Sequence, residues 1–216
     1  MTPGPSIIIE CPHCSELLSR TSIGSGNTFG ATHWSDGKLD APMLPDFPKI
    51  VRCSKCDDFI WVEDAKEVGV YDWFNSSEND DIPEEWKKAK SVTWPETTDF
   101  EKAIEQKEGT SIERVKYLRM QLWWHSNNPV RNGERLTILP PENAVLFFDN
   151  LKNLSQLLID GSPDDQIMRA EIARECGEFE ECKSLLSTIP EEYASVCVQI
   201  RIFADEGNRV VQKINM

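Results

Sequence analysis

The chain lacks any apolar run near the roughly 18 consecutive residues that a membrane-spanning helix requires. Ile7-Ile8-Ile9 is short and has no basic leader ahead of it, so the sequence predicts neither a secretory signal nor a membrane anchor. Basic charge is also scarce: 23 Lys and Arg stand against 37 Asp and Glu, a net charge of −14. The deficit is spread along the chain. Residues 1–69 carry 10 acids and 6 bases, 70–110 carry 11 and 5, and 111–216 carry 16 and 12. A nucleic-acid binder needs a basic stripe to displace counterions; no region is net basic, which leaves room for a local patch only, on a molecule that as a whole repels a polyanion. Catalytic signatures are missing too: there is no nucleophile elbow, no triad signature and no HExxH. The segment Gly24-Ser-Gly26-Asn-Thr-Phe-Gly30 looks like a phosphate loop. It lacks the Gly-Lys-Ser/Thr ending, however, and its third glycine is one residue late for the dinucleotide pattern. The expectation there is a glycine-rich bend leading into a strand.

What the chain does have is two knuckles, Cys11-Pro-His-Cys14 and Cys53-Ser-Lys-Cys56, with 38 residues between them. A two-residue gap lets both sulfurs of a knuckle reach one tetrahedral ion while nearby N–H groups point at them. Two such pairs in one segment read as a four-thiolate site for one structural Zn²⁺, with Cys11, Cys14, Cys53 and Cys56 as ligands. A thioredoxin-like redox motif would want a βαβ pattern around its CxxC, and neither pair has one. The residues after each second cysteine are Ser15 and Asp57, where many knuckles carry glycine. His13 lies inside the first knuckle and reads as a solvent-facing spacer, because four thiolates already complete the site. Two CxxC pairs within an odd total of seven cysteines point to a reducing compartment, and the expectation is a soluble, cytoplasmic protein.

Around the knuckles the pattern is that of short strands: Ile7–Ile9 before the first, Lys49–Arg52 and Phe59–Val62 about the second, and a hairpin at Asp36-Gly37 between them. Pro42, Pro45 and Pro48 favour an extended path poor in ladder bonds. Residues 1–69 are therefore expected to form a small antiparallel zinc ribbon. Residues 70–96 form a connector too aromatic to be a tether, with Trp73, Phe74, Trp86 and Trp94 expected to be buried across both halves. Its acid pairs, Asp80-Asp81 and Glu84-Glu85, read as a solvated face.

Residues 97–216 read as helical. Phe100–Glu108 ends at Gly109. A second helix starts at Ser111 and is expected to stop near Ser126, before Pro129. A third opens at Pro141 with Ala144, Phe147, Leu151, Leu154 and Leu158 on one face. Ser162-Pro163-Asp-Asp165 is an N-cap, a proline at the first helical position and acids in the first turn. That helix ends at Cys176-Gly177, another covers Phe179–Ser187, and Pro190 opens the last, which runs to about Glu206. Arg114, Arg119, Trp123, Trp124, His125, Arg131 and Arg135 allow two readings: an anion or single-strand platform, or an amphipathic helix with core tryptophans and solvated arginines. Periodicity favours the second. Cys176, Cys182 and Cys197 read as small buried hydrophobes, and His33 and His125 as structural.

The stretch Ala170…Gly177-Glu-Phe179-Glu-Glu-Cys182…Leu186 resembles one tetratricopeptide-type helical hairpin, with small residues at the crossing, Gly177 in the turn, and Phe179 and Leu186 in the seam. The run Gly30-Ala-Thr-His-Trp-Ser-Asp-Gly-Lys-Leu-Asp-Ala-Pro-Met-Leu-Pro45, flanked by the CxxC pairs, resembles uncharacterised bacterial proteins that join a zinc ribbon to a helical tail. The fold class expected is α+β: a small antiparallel zinc ribbon followed by an all-α, tetratricopeptide-like domain. The expected role is a non-enzymatic interaction or adaptor protein that docks a protein or peptide through its helices. The alternative is a transcription-associated, nucleic-acid-binding ribbon.

Overall fold

The β-branched run Ile7–Ile9 pairs on both edges, and the apolar positions of the C-terminal half repeat at helical spacing; the chain accordingly folds as α+β. The computed structural model describes residues 1–72, 82–108, 111–134, 141–158 and 161–215, of which 141–144 by backbone alone. In order the elements are β1 (Thr2–Pro3), β2 (Ser6–Glu10), β3 (Leu17–Arg20), β4 (Ile23–Ser25), β5 (Thr32–Trp34), β6 (Leu39–Asp40), β7 (Ile50–Arg52), β8 (Phe59–Trp61), β9 (Lys66–Tyr71), α1 (Glu84–Lys87), β10 (Lys90–Ser91), α2 (Thr97–Glu105), α3 (Ile112–Arg131), α4 (Pro141–Leu157), α5 (Pro163–Cys176), α6 (Phe179–Leu186), a 3₁₀ turn at Glu191–Tyr193, α7 (Ala194–Asp205) and β11 (Lys213–Ile214). No helix among the described residues is long and apolar enough to cross a membrane.

The chain divides into two units. One contains Met1–Ala31 and Ala41–Glu96, the other Thr32–Asp40 and Thr97–Met216. In the first, β2 is central: β3 pairs antiparallel on one side and β9 antiparallel on the other, with β10 added parallel to β3. The hairpin β7–β8 carries the second knuckle, and an isolated bridge joins Arg52 to Thr93. Ile9, Leu18, Val51, Ile60 and Val92 form the apolar core of this unit, with Cys11 and Cys53 inside it. The described part of the connector thus completes the sheet. Trp86 lies over Gly69, where a Cβ would fall inside the indole. Trp86 is half-buried, and Trp94 is 50% exposed, against the expectation that both would be buried. Its ring meets Phe47 edge-on at 5.8 Å, so two aromatics share one surface instead of filling a core. Trp73, Phe74, Asp80 and Asp81 lie outside the described residues; Glu84 and Glu85 are exposed in the first turn of α1.

The second unit corrects the expectation that the Asp36-Gly37 hairpin belongs to the ribbon. β5 and β6 pair with each other, and β11 from the far end of the chain pairs with β5. The Asp36 carboxylate explains the placement. It is fully buried, ion-paired with Arg131 and hydrogen-bonded by Asn127 at 3.0 Å. Asn127 also donates to Glu175, which accepts from Trp123 Nε1 at 2.9 Å. Next to it Arg174 Nε donates to Glu171 at 2.7 Å, and its Nη atoms reach the carbonyls of Asn208 and Val210. A hairpin carrying a buried charge must sit where its partners are. These are on α3, α5 and the C-terminal segment.

The same network explains why α3 continues through Pro129 to Arg131 instead of stopping before it. Asn127 and Arg131 must stay on one helical face to reach Asp36, and Arg131 also donates to the Trp124 carbonyl at 2.6 Å, in the turn the proline disturbs. Ser111 and Ser162 cap α3 and α5 as their sequences imply, and Gly177 ends α5 in the left-handed region at φ 85°. Phe147, Leu151, Leu154 and Leu158 of the α4 stripe are buried with Trp123 and Ile172. Ala170, Cys182 and Leu186 form the seam of the α5–α6 hairpin, against Ile200 and Ala204 of α7.

Candidate metal centre

Each knuckle is a turn between two paired strands, and the two turns are built alike. In the first, Cys11 N–H donates to the Glu16 carbonyl (2.9 Å) and Ser15 N–H to the Cys11 carbonyl (2.9 Å). In the second, Cys53 N–H donates to Asp58 (3.0 Å) and Asp57 N–H to Cys53 (3.0 Å). Closing such a turn drives the residue after the second cysteine to positive φ: 56° at Ser15 and 66° at Asp57. Neither is glycine, and both adopt the strained conformation all the same; Asp57 also pairs with Arg52. Lys55 of one knuckle pairs with Glu16 of the other at 2.7 Å.

The result brings together all four predicted ligands. The sulfurs of Cys11, Cys14, Cys53 and Cys56 lie within 4.8 Å of one another, a group that can hold a metal ion. Cys11 Sγ stands 3.8 Å from Cys56 Sγ, and Cys14 Sγ 3.7 Å from Cys53 Sγ. A Zn–S length of about 2.3 Å puts tetrahedral sulfurs about 3.8 Å apart, and these two separations match it. Cys11 and Cys53 are buried, Cys14 and Cys56 half-buried. His13 takes no part: its ring Nε2 meets the Phe59 carbonyl at 3.1 Å, and a carbonyl can only accept.

No protein-family model, curated protein or solved structure matches the chain.

The electrostatics of the cluster suit a cation. Burial raises the Cys11 thiol, although the N–H groups of His13 and Cys14 oppose it. At Cys53 burial acts the same way but is outweighed by N–H donors of Cys56 and Lys55 and by the Cys56 and Cys11 side chains, bringing it to about 7. At Cys56 the Asp58 N–H favours the thiolate, yet burial, the Asp58 side chain and the sulfurs of Cys14 and Cys53 win and raise it. Four sulfurs so close cannot all ionise unaided, whereas a divalent ion would stabilise every thiolate at once.

The other candidates scatter. Cys182 and Cys197 are buried and Cys176 half-buried; burial raises Cys176 to about 11 and Cys182 to about 12, so both stay protonated at neutral pH. His125 packs against Phe100 at 4.9 Å, and burial lowers it to about 4. His33 lies in β5 opposite Ile214. Trp123 is a core residue, as periodicity implies, but the arginines of α3 are not the solvated face expected. Arg131 is buried against Asp36, and Arg119 donates to Asn150 at 3.2 Å. Arg135 lies outside the described residues. The buried set Asp36, Asn127, Arg131, Glu171, Arg174 and Glu175 was not anticipated. Its one signal was spacing: Trp123, Asn127 and Arg131 recur every fourth residue, on a face that should be core.

Proposed function

We propose that the chain is a zinc protein in which Cys11, Cys14, Cys53 and Cys56 hold one structural Zn²⁺ and close an N-terminal zinc ribbon. The helical unit would then serve as a non-enzymatic interaction module for a protein or peptide, in the reducing cytoplasm. The observation that carries the metal reading is the sulfur spacing, 3.7 and 3.8 Å, which matches a tetrahedral tetrathiolate. Four protein ligands leave no coordination position for water or substrate, which favours a structural over a catalytic ion. When bound, the ion supplies folding energy to a unit whose own core is small. The interaction reading rests on the α5–α6 hairpin, whose turn and seam residues are those of the tetratricopeptide resemblance, and on the acidic charge. The α3 arginines that a nucleic-acid platform would use have internal partners, which weakens that alternative.

The test is elemental analysis of protein purified under reducing conditions. One zinc per chain is expected, lost in Cys53→Ser and on chelation, with loss of the β2–β3–β9 sheet. A chelated, metal-free protein that keeps this sheet intact would sink the structural-zinc reading. A mobility shift that weakens steeply with salt would revive the nucleic-acid alternative.

A further inference from the structure

A cavity of about 850 Å³ opens between α4, α5 and α6, within the range of small-molecule sites. Phe148, Ile172 and Leu185 supply apolar wall. Two arginines line it, and they are held in unusual ways. Arg209 Nε donates to the Glu175 carbonyl at 3.0 Å, and its guanidinium lies 5.3 Å from the Phe148 ring centroid. Its other side rests on Gly177, where a Cβ would stand 3.1 Å from Nε. This fixes the guanidinium and spends only Nε. Arg169 Nε is buried with no hydrogen-bond partner. Among the described residues neither arginine forms an ion pair.

Two half-buried guanidiniums without a carboxylate, in a chain of net charge −14, need a reason. The acids lining the same cavity, Asp149, Glu178 and Glu181, are all exposed, so water and salt screen them at the rim. They repel a polyanion at the entrance without neutralising the arginines below. Lys152, also at the rim, is exposed.

We propose that this cavity binds a small molecule that joins a single oxyanion head, a carboxylate or a phosphate monoester, to an apolar body. The planar forks of Arg169 and Arg209 take the head, since guanidinium meets oxyanions through paired N–H donors. Phe148 and Leu185 take the body. The site lies wholly in the helical unit and is independent of the metal reading.

The experiment is calorimetric titration of the full-length protein with phenyl phosphate, benzoate and phenol. Phenyl phosphate or benzoate should bind at least about tenfold more tightly than phenol, the size expected of charged hydrogen bonds. Binding of phenyl phosphate alone assigns a phosphate head, of benzoate alone a carboxylate, and of both the oxyanion in general. Arg169→Gln and Arg209→Lys should each weaken binding several-fold, on the order of one lost charge-assisted bond. Arg169→Gln is the cleaner variant because Arg209 also holds the α5–α6 turn. Glu178→Gln should leave binding equal or stronger. Failure of both anions to bind the wild type, phenol binding as tightly as they do, or unchanged affinity in a folded Arg169→Gln protein would overturn the proposal.

Discussion

Glu175 occupies a position that a carboxylate tolerates poorly. It is 1% exposed, it shares its surroundings with Glu171 and Asp36, and among the described residues two guanidiniums, Arg131 and Arg174, serve the three carboxyls. Burial first, and then the charges of Glu171 and Asp36, raise it well above the usual carboxylate range, against Arg174 and the Trp123 hydrogen bond. Glu175 therefore holds its proton to higher pH than a free carboxyl does. The linkage has a definite sign. Above the ordinary value of 4.5 the unfolded chain releases this proton while the folded chain retains it, so stability falls as pH rises toward the folded value. Asp36, raised by burial against the opposing pull of Arg131, acts in the same direction. Glu175→Gln should flatten the decline, leaving the variant at least as stable as wild type at pH 8 and no more stable at pH 4. Urea melts followed by helical circular dichroism at both values would decide it, and an unchanged pH slope would count against a protonated Glu175. None of this was legible at Asp36 itself, because Asp-Gly is a good turn regardless of where the aspartate points. The four cysteines were legible because a CxxC pair has a fixed spacing, and spacing is what a sequence preserves.

Among the elements, helix starts and stops carried their own signals. Ser111 and Ser162 accept from Arg114 and Asp165 N–H, and Gly177 terminates α5. The exception is α3, where a local rule about Pro129 lost to partners distant in sequence. Strands β5, β6, β10 and β11 were the hardest to read. They are two or three residues long, and each exists only because another segment lies alongside it. Gly177 is where element and cavity meet. Its φ of 85° costs an L residue roughly 1–2 kcal/mol, and the added methyl would press on Arg209. Gly177→Ala should therefore lower helical stability by at least about that amount in denaturant melts. A neutral result would mean that the α5–α6 turn can relax by another route.

At the scale of the whole molecule the decisive fact is the path of the chain. It leaves the cysteine-bearing unit after Ala31, returns at Ala41, and leaves again after Glu96. The β5–β6 hairpin is thus held within the second unit while both of its flanks run into the first. Unfolding the first unit would leave the hairpin joined to α2 only by the 56 residues Ala41–Glu96, and closing such a loop costs on the order of 3 kcal/mol. Cys53→Ser, which removes one of the four candidate ligands, should therefore lower the melting temperature of the helical signal although the substitution lies in the other unit. Helix melting that is indifferent to the loss of metal would show that the spacer carries no such coupling.

The hydrogen bond from Gln212 N–H to Ser35 Oγ, 2.9 Å long, joins positions 177 residues apart, and β11 seals β5 across the same span. A ribosome adding about 5–20 residues per second would expose the hairpin roughly ten to thirty seconds before its last neighbour is made. For the first 95 residues of that interval Asp36 lacks Arg131, the arginine it pairs with in the fold. The cysteine knuckles, complete by residue 56, are the part of the nascent chain able to order first. The helical unit, although richer in local contacts, would have to finish last.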